Sequence, residues 1–84
     1  MAEQVRLIVK ELYGDPLDTK KIRSRRLQGG NYELYEVTVE GGIIYAVDVY
    51  CAGASHAAFI ATNEQIEEIF GFEALPDRSS KEST

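Results

Sequence analysis

The stretch NYELYEVTVEGGIIYAVDVYC, residues 31–51, decides the fold. Tyr35, Val37 and Val39 hold odd positions before Gly41-Gly42; Ile43, Tyr45, Val47 and Val49 hold odd positions after it. Alternation with period two marks strands with a buried face, and glycines between two such runs mark a hairpin. The expected strands are 32–39 and 43–51. Opposed residues of an antiparallel pair share a face, so parity sets the register. A Gly41-Gly42 loop would set Val37 against Ala46 and Glu36 against Val47, mixing the faces. A loop from Glu40 to Gly42 sets Val39 against Ile43, Val37 against Tyr45 and Tyr35 against Val47, which makes the odd face wholly apolar. The sequence therefore predicts that three-residue loop, with Gly42 left-handed and a G1-type bulge. A loop at 41–43 keeps the same parity.

Upstream, Lys21–Leu27 reads as a further strand joined through residues 28–31. It would place Ile22 opposite Val37, Ser24 opposite Tyr35, Arg26 against Glu33 and Arg23 against Glu36. The competing reading is a short helix capped by Asp18 or Thr19. Nearer the N-terminus, Val5, Ile8, Val9 and Leu12 form one helical stripe. Gly14 supplies a left-handed C′ position and Asp15-Pro16 a stop, so a helix is predicted over 2–13. Downstream, HAAFIAT at 56–62 reads as another strand. Thr62 and Gln65 match a capping box, and Ile66, Ile69 and Phe70 make a short stripe that Gly71 ends. PDRSSKEST at 76–84 has no periodicity and is expected to be disordered.

The expected fold is α+β: an N-terminal amphipathic helix packed on a three- to four-stranded antiparallel meander, then a short C-terminal helix, in a single domain over 1–75. The stretch Ile22–Gly53, with LYEV at 34–37, GG at 41–42 and YAVDV at 45–49, resembles PepSY-type domains. Those place a helix before a three-stranded antiparallel meander, so the resemblance implies topology; CAGASH at 51–56 departs from it.

Composition narrows the function classes. The chain has 84 residues, 44% hydrophobic and 27% charged, with a net charge of −5, as expected of a small globular domain. The acid excess disfavours nucleic acid and anionic membranes, and no apolar run reaches the ~18 residues of a span. Glu3, Arg6, Lys10 and Glu11 break any signal-peptide core, and a single cysteine, Cys51, permits no internal disulfide. A cytoplasmic location is the expectation.

Cys51 and His56 are the only thiol and the only imidazole. They could act as nucleophile and base, or with Asp48 form a partial metal site. Structural zinc asks for about four ligands at tighter, paired spacings, so no catalytic residue, metal or cofactor is expected. The glycine pairs lack the strand–loop–helix context and the Lys-Ser/Thr of a phosphate loop. KKIRSRR at 20–26 could contact nucleic acid but lacks interleaved aromatics.

The remaining feature is the even face, with Tyr32, Leu34, Ile44, Ala46 and Tyr50 among Glu36, Thr38 and Asp48. In the expected register Tyr32 lies opposite Tyr50. Such a face is more apolar than a solvated one. The expectation is a non-enzymatic regulatory domain that binds a protein partner, or a second copy as a homodimer. Tyr32, Leu34, Ile44 and Tyr50 would be its anchors, and Arg23, Arg25 and Asp48 its polar rim. If the C-terminal helix folds over this face through Ile66, Ile69, Phe70 and Phe72, the domain becomes three-layered and that surface is lost.

Overall fold

The computed structural model describes residues 3–27, 29–51 and 55–71. The elements run α1 (Glu3–Tyr13), β1 (Asp18–Leu27), β2 (Gly30–Val39), β3 (Gly42–Cys51), β4 (Ser55–Ile60) and α2 (Asn63–Phe70). The strands form one antiparallel meander in the order β1-β2-β3-β4. Phe72 and the tail at 76–84 lie outside the described residues.

Helix α1 ends where the sequence says it should. Gly14 sits at φ 91°, and its N–H donates to the Lys10 carbonyl at 3.1 Å. Glycine reaches that conformation without a Cβ penalty. Val5 and Val9 are fully buried and Ile8 half-buried, but Leu12 is 60% exposed. The stripe thus loses its cover in the last turn.

The β2–β3 register departs from expectation by one residue. Val39 pairs with Gly42, Val37 with Ile44 and Tyr35 with Ala46, in an unbroken ladder out to Asn31 with Tyr50. Glu40 and Gly41 alone form the turn, and the expected bulge is absent from this pair. Gly42 does take the positive φ predicted for it, at 141°. Odd residues of β2 therefore share a face with even residues of β3. Parity selects a register only where one face is polar, and this sheet carries apolar residues on both faces.

Both faces are in fact covered. On the first, the α1 side, Val5 and Val9 pack with Tyr35, Val37, Val39 and Ala46, flanked by Ile8, Ile44, Ala58 and Ile60. On the second, the α2 side, Leu34, Val47 and Ile66 are fully buried. Around them pack Ile22, Tyr32, Tyr45, Val49, Phe59, Ala61 and Phe70. The molecule is a three-layer α/β/α arrangement, and the short C-terminal helix supplies the third layer.

Strand β1 also differs. It starts at Asp18, which rules out a capped helix there. Leu27 pairs with Gly30, and a register shift lies between Lys21 and Arg23. The observed partners are Lys21 with Tyr35, Arg23 with Leu34, Ser24 with Glu33 and Arg26 with Asn31. These replace the expected pairings of Ile22, Arg23, Ser24 and Arg26. The expected meander is otherwise present, with a fourth strand beyond the PepSY-type pattern.

Helix α2 follows its sequence signature closely. The Thr62 hydroxyl accepts from the Gln65 N–H at 3.2 Å, and the Gln65 side chain accepts from the Thr62 N–H at 2.8 Å. At the other end Arg25 Nη1 donates to the Ile69 carbonyl at 2.8 Å, placing a cation at the negative end of the helix. Thr62→Ala is expected to lower stability by about 1 kcal/mol, readable as a shift of the urea midpoint at unchanged slope. Among the described residues, no helix is long and apolar enough to cross a membrane.

Candidate interaction site

The register sorts the expected site residues onto different surfaces. Leu34 is fully buried beneath α2, and Tyr32 is half-buried beside it. Ile44 packs on the opposite side, against the α1 core. Tyr32 pairs with Val49 and Tyr50 with Asn31, so the two tyrosines point to opposite faces. Arg23 and Arg25 pair with Leu34 and Tyr32 on the α2 side, where Arg25 is spent on the helix terminus. The seven expected anchors and rim residues thus divide between the faces: Tyr32, Leu34, Arg23 and Arg25 on the α2 side, and Ile44, Asp48 and Tyr50 on the α1 side. The single docking face built from all seven is therefore not present.

The proposed thiol–imidazole pair separates for the same reason. Cys51 pairs with Ser55, and Tyr50 with His56. His56 lies on the α1 side, where its ring meets Tyr50 edge-on with centroids 5.5 Å apart. Cys51 is on the α2 side: a Cβ built on Gly30 would lie 3.2 Å from its Sγ. Successive strand residues face opposite ways. Cys51 forms no disulfide. Among the described residues, no group of three or more His, Cys, Asp or Glu side chains is placed to hold a metal ion.

What the sheet does bring together is Asp48 and His56. They lie one row apart on adjacent strands β3 and β4, on the same face. His56 Nε2 is 2.6 Å from Asp48 Oδ1. An ionised carboxylate only accepts, so this contact puts a proton on Nε2. The Asp48 side chain is 6% exposed, whereas that of His56 is 36% exposed. Glu33, directly opposite Asp48, is satisfied separately. Lys21 Nζ lies 3.3 Å from its Oε2, and the Tyr35 hydroxyl donates to its Oε1 at 3.2 Å. Two neighbouring carboxylates thus each have their own donor, which limits their mutual repulsion. The sequence held both members of the Asp48–His56 pair, but not the β3–β4 offset that joins them.

Beyond this pair the register aligns Arg26, Asn31, Tyr50 and His56 across all four strands. None of them belongs to the α1 core cluster. Tyr50 is 55% exposed. Together with Arg26, Asn31 and the backbone at Gly29-Gly30 it lines a concavity of about 180 Å³.

The basic segment is divided by strand alternation. Lys21 and Arg26 lie on the α1 side; Lys20, Arg23 and Arg25 lie on the α2 side, judged from their partners in β2. Five cations split between two faces do not make one continuous phosphate-binding stripe. Compared with known protein families, with curated proteins and with solved structures, the chain matches none.

Proposed function

We propose that this chain is a non-enzymatic interaction domain that contacts a partner protein through the row Arg26, Asn31, Tyr50 and His56. The observation that carries the reading is Tyr50, 55% exposed beside a concavity on a sheet whose other aromatic residues are mostly packed under helices. Exposed tyrosine flanked by arginine is the composition enriched at protein interfaces, and an adjoining concavity gives such an anchor a wall to pack on. The Asp48 carboxylate beneath holds His56 in one orientation, which reduces the ordering cost of binding. The unpaired Cys51 is compatible with a reducing, cytosolic setting. A photo-crosslinking residue at position 50 should trap one discrete adduct in the native source. The same residue at exposed Glu11 should trap none, and Arg26→Glu should abolish the adduct at 50. Equal labelling from positions 50 and 11 would contradict the reading.

A further inference from the structure

The two edges of the sheet are built differently. Edge strand β1 carries Lys20, Lys21, Arg23, Arg25 and Arg26 and an irregularity between Lys21 and Arg23. Both are devices that stop a strand edge from pairing with another chain. Edge strand β4, SHAAFI, has no Lys, Arg, Asp, Glu or Pro, and its pairing with β3 runs without a shift. Its composition is that of an interior strand.

The hydrogen-bond phase of β4 follows from one contact. The Ala61 N–H donates to the Tyr45 carbonyl at 2.9 Å. Bonds in an antiparallel ladder involve alternate residues. Phe59 and Ala57 therefore bond inward to β3, while the N–H and C=O groups of His56, Ala58 and Ile60 point outward. Among the described residues, no strand pairs with that outer edge.

We infer that β4 pairs with β4 of a second copy, joining two four-stranded sheets into one across a two-fold axis at Ala58. The outward residues are symmetric about Ala58. Antiparallel self-pairing thus matches His56 with Ile60, Ala58 with Ala58 and Ile60 with His56, each pair exchanging both backbone bonds. On the other face Ala57 meets Phe59. No charged pair is forced together, and the Ala58 methyl groups leave room at the axis. The alternative of β4 on β1 of the next copy would grow an open fibre, and the basic, irregular β1 edge blocks it. This interface uses the backbone edge of β4; it meets the Tyr50 row only at His56, whose backbone it engages.

Sedimentation of the full chain from about 1 µM to about 1 mM, a range that covers weak pairing, tests the inference. The mass should rise from 9.4 kDa towards twice that value. In parallel, hydrogen exchange at the His56, Ala58 and Ile60 amides should slow as concentration rises. Ala57 is exposed, so Ala57→Glu should keep the circular dichroism spectrum. It would set two carboxylates near the axis, where like charges repel, and weaken association at least about tenfold. N-methylation of Ala58 in synthetic protein should do the same without added charge. A mass of 9.4 kDa throughout, association unaffected by both variants, or protection of these amides that ignores concentration would each overturn the inference. The last outcome would mean that the chain covers its own edge.

Discussion

Leu34→Ala is expected to destabilise the domain by about 2–5 kcal/mol. Leu34 is fully buried and shares its contacts with Val47 and Ile66, between the sheet and α2. Truncation removes apolar contact and leaves a cavity that neither a strand nor a capped helix can easily fill. A domain of this size has on the order of 5–15 kcal/mol in total, so a large share of its stability is at stake. Urea denaturation checks this against Leu7→Ala, at a half-exposed site on α1, where a change within about 0.5 kcal/mol is expected. Were the Leu34 side of the sheet open to solvent, the two variants would behave alike.

His56→Ala should cost about 1–3 kcal/mol, the desolvation penalty of a buried group that loses its partner. Asp48 is 4% exposed and has its contact with His56 Nε2 at 2.6 Å; without the imidazole, no other donor among the described residues is seen to take its place. Asp48→Asn should cost less, because the side-chain amide oxygen still accepts from Nε2–H and no charge is stranded. A double-mutant cycle on these two substitutions is expected to give a coupling above about 0.5 kcal/mol. Equal losses in both single variants, adding in the double, would mean that the pair is no more than proximity.

Local signals in this sequence proved readable because short-range chemistry determines them. Gly14 ends α1 with its positive φ, and Thr62 with Gln65 opens α2 by closing a reciprocal pair of hydrogen bonds. The register was harder. Parity discriminates only when one face is polar, and here Leu34 and Val47 serve one core while Val37 and Ala46 serve the other. With apolar residues on both sides, a one-residue slip leaves both faces acceptable to the eye. The irregularity beside Ile22 carries no glycine or proline to announce it. That slip moved Tyr32 under α2 and left Tyr50 outside, while the β3–β4 pairing, for which the sequence offered no register, set His56 beside Asp48 and turned Cys51 to the other face. The functional reading thus depended on the least legible element of the chain.

Nuclear Overhauser contacts between β2 and β3 test that element directly. Cross-strand contacts joining Tyr35 to Ala46 and Val37 to Ile44 as nearest partners are the predicted result. A pattern joining Tyr35 to Val47 and Val37 to Tyr45 would return Tyr32 and Tyr50 to a common face, and the two-core account would fail.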